Sequence, residues 1–107
     1  MPTAFLKVRA MLADAGDRPR FDAWYAKEHL PDALRALEAR RAWRCWSRTA
    51  PSIHIAFYEF PDLARAEAAV ASPAIGDLIA EFDRVWGGRV TRTREILELA
   101  GEIPPGA

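Results

Sequence analysis

At 107 residues, half of them hydrophobic, the chain can bury one core and has little room for a second. Fifteen basic residues balance fifteen acidic ones, and this neutrality argues against a nucleic-acid binder, which carries a basic excess. No run approaches membrane-spanning length and Met1 to Lys7 lacks the apolar stretch of a signal peptide, so a cytoplasmic protein with no membrane partner is expected.

Residues 4 to 12 alternate as a strand does, with Leu6, Val8, Ala10 and Leu12 on one face and Phe5, Lys7, Arg9 and Met11 on the other. Asp14 to Arg18 reads as a turn, with Asp17 as N-cap and Pro19 just inside the first helix. That helix is expected over residues 19–37. Pro31 should kink or restart it, because the ring clashes with the carbonyl four residues back. Phe21, Trp24, Tyr25 and Glu28 are assigned to one side, continued by Leu30, Leu34 and Leu37.

A second strand is expected over residues 41–48, alternating Arg44, Trp46 and Arg48 against Trp43, Cys45 and Ser47. Cys45 is the chain's one cysteine, so neither an intramolecular disulfide nor a cysteine-based metal site is possible. Between tryptophans it reads as a packed, unreactive thiol. The turn at Thr49 to Ser52 makes a hairpin with the third strand, residues 53–60, which is apolar on both faces. Pro61-Asp62 opens a second helical region reaching Ala71. Ser72-Pro73 then starts a fresh helix, serine at N-cap and proline at N1, whose stripe of Ile75, Leu78, Ile79, Phe82 and Trp86 has helical spacing. Gly87-Gly88 ends it, and a last strand follows over residues 89–99.

The order β-α-β-β-α-β is the ferredoxin-like plan, an α+β fold with a four-stranded antiparallel sheet and its helices on one face. Residues 1–100 are expected to form this single domain and residues 101–107 a loose tail. The sheet's other face would carry large side chains in either strand phase. Leaving them in water forgoes about 2–3 kcal/mol for each aromatic, so a homodimer packed sheet to sheet is expected. Lys7, Arg9, Arg44, Arg48, Arg92 and Arg94 are candidates for one cationic face, which would be either a solvated surface or the lining of a site for a carboxylate or phenolate.

The chemistry-bearing stretch is Phe21-Asp22-Ala23-Trp24-Tyr25-Ala26-Lys27-Glu28-His29-Leu30-Pro31. It holds one of the two histidines beside aromatic residues at the expected helix break, with His29 one turn from Tyr25 and Glu28 near Trp24 and Tyr25. A histidine titrates near neutrality, which suits proton transfer, so His29 is the candidate general acid or base. The structural alternative is a histidine bonded to a carbonyl that Pro31 leaves free. Tyr25, Trp24, His54 and Tyr58 are the candidate substrate-binding residues. His54 and Tyr58 lie on one strand face about 13 Å apart, four residues at 3.3 Å each. Two histidines without further close donors form no convincing metal site, and no phosphate loop is present. One histidine suffices to hold a haem, so that alternative stays open beside the expectation of no cofactor.

The aromatic pair Trp24 and Tyr25, preceded by Phe21 and followed by Glu28-His29 and Pro31, resembles the first-helix pattern of small EthD-like proteins in the dimeric α/β-barrel superfamily. The segment from Ser72-Pro73 to Phe82, followed by a Thr- and Arg-rich strand, is similar to that group's second helix and last strand. The resemblance implies a homodimer with a pocket in each subunit between sheet and helices. The superfamily includes antibiotic-biosynthesis monooxygenases, polyketide cyclases, lactone isomerases and haem-degrading enzymes, so it implies small-molecule chemistry without choosing a reaction. The expected function is a small-molecule-binding homodimer. It would act as a cofactor-independent enzyme of isomerase, cyclase or monooxygenase type on a small aromatic or lactone-like metabolite. The alternative is a non-catalytic ligand-binding or accessory module.

Overall fold

A computed structural model describes residues 2–106. Four strands, β1 (Ala4–Leu12), β2 (Arg41–Trp46), β3 (Ile53–Phe60) and β4 (Val90–Glu98), pair antiparallel in the order β2-β3-β1-β4. The fold is ferredoxin-like, as the element order requires. Leu6 stands opposite Tyr58 and Ile96, Val8 opposite Ala56 and Arg94, and Ala10 opposite His54 and Arg92. These residues form the inner face, against which the helices pack. On β1 the alternation is sharp: Ala4, Leu6, Val8, Ala10 and Leu12 are all buried, because β1 is an inner strand of the sheet with the helices packed on this face. The 47–52 turn closes the β2–β3 hairpin, with Ser47 N–H donating to the Ile53 carbonyl at 3.0 Å.

The first helical region is one continuous rod in three parts: α1 (Arg18–Trp24), a π-helical turn over Tyr25–His29, and α2 (Leu30–Ala36). The irregularity expected at Pro31 takes the form of a widened turn just before it. The Leu30 N–H reaches back five residues to the Tyr25 carbonyl, and the extra residue relieves the crowding that a proline ring imposes on a regular turn. The turn also changes which residues face inward. Phe21, Tyr25, His29, Ala33 and Leu37 are all buried, a repeat of four. In an unbroken α-helix each four-residue step overshoots by about 40°, about 160° over the whole series. One inserted residue turns the rod back by about 100°, which keeps all five residues on the sheet. Glu28, assigned from sequence to the aromatic side, is therefore exposed, and His29 takes the inward position.

Two caps also differ from the sequence reading. Asp14 rather than Asp17 caps by side chain, accepting from the Gly16 N–H at 2.8 Å, while Asp17 pairs with Arg20 at 3.0 Å. The helices α3 (Leu63–Ala71) and α4 (Pro73–Trp86) meet at Ser72, whose hydroxyl donates back to the Ala69 carbonyl at 2.8 Å instead of capping α4. Asp62 caps α3 through the Arg65 N–H. At the end of α4, Gly88 has φ +85, and a Cβ on Gly87 would lie 2.4 Å from the Asp83 carbonyl oxygen, so both glycines are required.

The register divides the cationic set that the sequence grouped together. Lys7 and Arg9 lie on the outer face, while Arg44, Arg92 and Arg94 lie on the inner one; Arg48 falls beyond the end of β2. Cys45 is also displaced from expectation. β2 is an edge strand and Cys45 points to the outer side, so the thiol is exposed. The outer face also carries a run of aromatic rings across three strands: Phe5 meets Trp43 edge-on at 6.0 Å, and Trp43 stacks on Phe57 at 5.4 Å. Residues 101–106 form neither helix nor strand, and no helix among the described residues is long and apolar enough to cross a membrane.

Candidate functional site

Between the inner sheet face and the helices lies a cavity of about 30 Å³, room for a water or two. Its apolar wall comes from Leu6 and Val8 of β1, Ala33 of α2, and Ile75, Leu78, Ile79 and Phe82 of α4, with Leu37 just past α2. Its polar wall consists of His29, Tyr58, Arg92 and Arg94. An open groove of about 380 Å³ shares Leu6, Ile75, Ile79 and Arg94 with it and runs out along β4 past Ile96. Ile75 and Ile79, both only half-buried, border the cavity and the groove alike.

His29 is held in an aromatic slot. Its ring stacks on Trp24 at 4.9 Å and meets Tyr25 at 4.9 Å and Phe82 at 5.4 Å, both edge-on. Among the described residues no side chain hydrogen-bonds its nitrogens. One side of the residue borders the cavity. The other borders a groove lined by Trp24, Lys27, Glu28, Asp32, Leu78 and Glu81. Burial, reinforced by the Arg92 and Arg94 guanidiniums, lowers its pKa from 6.5 to about 4. At neutral pH it is therefore an uncharged imidazole, with one nitrogen able to accept a proton and the other able to donate.

The two arginines differ in what holds them. Arg92 lies 3.7 Å over the Phe82 ring and donates to Asp83 at 2.8 Å, so its charge is fixed and its side chain is nearly buried. Arg94 is exposed and has no acidic partner among the described residues. It stands where the cavity meets the groove.

Tyr58 reaches the cavity from β3, and its hydroxyl lies 2.9 Å from that of Tyr25. Both rings are almost fully buried. Burial pushes the Tyr25 hydroxyl up to about 12 and the Tyr58 hydroxyl well above its ordinary value, so both keep their protons. Of the residues selected from sequence, His29 and Tyr58 therefore face the cavity. Trp24 backs His29 and lines the outer groove, and Tyr25 stands behind both His29 and Tyr58.

His54 is not in the cavity wall. It is fully buried, 4.5 Å from the Tyr25 ring and within 5.1 Å of Phe21 and Trp46. Its Nε2 lies 3.4 Å from Arg44, which donates to Asp22 at 2.8 Å, as does the Trp46 indole. Burial, with Arg44 adding to it, holds His54 at about 4. Phe82 and the isoleucines of α4, read from sequence only as a core stripe, complete the site. Their wide stripe covers more than one neighbour, and only the tertiary fold shows which residues border a cavity.

No family model matches this sequence, and a search of curated proteins finds no match either. Solved structures do share the fold. SnoaB, a cofactor-independent oxygenase from Streptomyces nogalater, superposes with TM-score 0.66 at 13% identity, covering 98% of this chain and 99% of its own. A dimeric ferredoxin-like protein from an uncultured marine organism gives 0.62 at 15%, covering 96% and 100%. An EthD family protein from Bacillus halodurans gives 0.61 at 14%, covering 85% and 96%. At such identities the likeness is one of fold, and it is the fold that the first-helix resemblance implied.

Proposed function

We propose that this chain binds a small aromatic or lactone-like molecule in the inner cavity and that His29 is the general base of a cofactor-independent reaction on it. The observation that carries this reading is the neutral imidazole of His29, which lacks a hydrogen-bond partner among the described residues and borders a cavity lined by Arg92 and Arg94. Uncharged at neutral pH, the imidazole is free to accept a proton, and a substrate anion forming beside it offsets the burial that makes it a weak base. The nearby cations stabilise the anion that proton loss leaves on the substrate. The cofactor-independent oxygenase of the same fold is in keeping with such chemistry. Isomerisation, cyclisation and oxygenation could each begin with this step.

The test is hydrogen–deuterium exchange at the acidic carbon of butenolides and hydroxynaphthalenes, followed by NMR with the protein in deuterated buffer. His29→Gln keeps a planar polar group in the aromatic slot but no comparable base, and is expected to slow protein-promoted exchange at least about a hundredfold. Exchange that persists unchanged in His29→Gln would remove His29 from the mechanism. A second reading, a ligand-binding module without turnover, draws on the small volume of the cavity. It predicts thermal stabilisation by such compounds with no exchange in either protein.

The protein also pairs with a second copy through the outer sheet face. Phe5, Trp43 and Phe57 support this, since they form a half-buried aromatic patch on the sheet face opposite the helices.

A further inference from the structure

We propose that Tyr58 is an oxyanion donor of the inner cavity and that Tyr25 is the positioning residue that fixes its hydroxyl. The ligand then carries its negative charge on oxygen, as a phenolate or enolate. This deepens the pocket reading above and rests on it.

The two hydroxyls, 2.9 Å apart, share one hydrogen bond but carry two protons, so one O–H has no acceptor in the pair. If Tyr58 donated to Tyr25, the spare proton would lie behind the cavity among rings, where among the described residues no other acceptor is within hydrogen-bond distance of the Tyr25 hydroxyl; even the unpartnered Nδ1 of His54 makes no bond to it. Buried O–H groups are seldom left unmatched. If Tyr25 donates to Tyr58, the spare proton belongs to Tyr58, which lines the cavity, where a ligand oxygen or a water can accept it. The donated bond also polarises the Tyr58 hydroxyl and makes it a stronger donor.

The cavity's charge is suited to the same ligand. Its polar wall is an uncharged imidazole, a hydroxyl and two guanidiniums, with no carboxylate among the described residues. Such a wall favours an anion and disfavours a cation. When His29 takes a proton from the ligand, the electron pair left behind delocalises onto the ligand oxygen. The Tyr58 hydroxyl then hydrogen-bonds that oxygen without giving up its own proton. No other bond forms or breaks.

The test uses two probes of similar shape, 4-nitrophenolate at mildly alkaline pH and nitrobenzene, each titrated into the full chain. The parent protein is expected to bind the phenolate more tightly. Tyr58→Phe should weaken the phenolate by roughly ten- to hundredfold, the value of a hydrogen bond to a charged group, while nitrobenzene affinity stays within about twofold. Tyr25→Phe leaves Tyr58 in place but unpolarised, and should lose roughly two- to tenfold for the phenolate alone. It also serves if Tyr58→Phe does not fold. Equal loss of both probes, or no loss of either, would overturn the oxyanion role and leave the pocket standing. Failure of the parent protein to bind either probe would overturn the pocket reading and this inference with it.

Discussion

His29 is stabilised in its uncharged form by the same burial that places it on the cavity, and this links the site to stability. Its pKa is lowered from 6.5 to about 4, as is that of His54. Between these values the unfolded chain binds protons that the folded chain refuses, so stability rises with pH across the window. The contribution is complete above the unfolded value of 6.5, falls as pH drops, and is gone below about 4; each histidine is worth on the order of a few kcal/mol. Urea unfolding should therefore show a plateau at and above neutral pH and a decline below it. In His29→Leu one of the two titrating groups is gone, and the slope of that decline should halve. An unchanged slope would mean that His29 reaches solvent far more than its packing suggests. Asp22, whose carboxyl is held low by hydrogen bonds from Arg44 and Trp46, loses its contribution only below 3.8, outside the window.

The first helical rod shows how far the sequence could be read element by element and where reading stopped. A proline in mid-helix announced a local irregularity, and the aromatic and histidine residues before it marked the site. The kind of irregularity was written elsewhere, in the four-residue recurrence of Phe21, Tyr25, His29, Ala33 and Leu37. Remove one residue between Tyr25 and His29, and the spacings become four, three, four and four, the stripe of a regular α-helix. The surplus residue is the π turn. Read with regular α-helical geometry, the same stretch put Glu28 on the buried side. Strand faces were legible because alternation is strict, and Arg92 with Arg94 could be placed together. Which face met the helices was not, since β3 is apolar on both sides.

Deleting exposed Ala26 should test that account. It restores regular winding but leaves the proline against the carbonyl four residues back, and should cost about 3 kcal/mol. Adding Pro31→Ala to the deletion should recover most of that loss, whereas Pro31→Ala in the parent chain should change stability by much less. The cycle is non-additive if the π turn exists to accommodate the proline. A deletion no less stable than the parent in urea unfolding would refute the coupling.

At the scale of the whole molecule, the sheet has two faces with different tasks. The inner face carries the cavity, and its polar groups are few and specific. The outer face carries Phe5, Trp43 and Phe57 in contact across three strands, with Lys7 bridged to Glu95 at 3.3 Å and Arg41 lying 4.8 Å over Trp43. A purely solvated antiparallel face would alternate to polar side chains at these positions. Aromatic rings at the centre with charged groups around them instead have the make-up of an interface, where a few buried rings supply most of the energy. Two-fold pairing would bring each patch onto its own copy. Phe57 lies on β3, one strand in from the edge, so a charge placed there in a dimer would be desolvated without a partner. Phe57→Asp is therefore expected to shift the mass in solution from about twice 12.0 kDa to 12.0 kDa. Inner-cavity probes should still bind, because the described residues that line the cavity lie on the inner sheet face and in the helical layer. A parent protein that runs as a monomer at micromolar concentration would refute the pairing. If the Phe57→Asp monomer loses probe binding, the partner copy shapes the site through the sheet that both faces share.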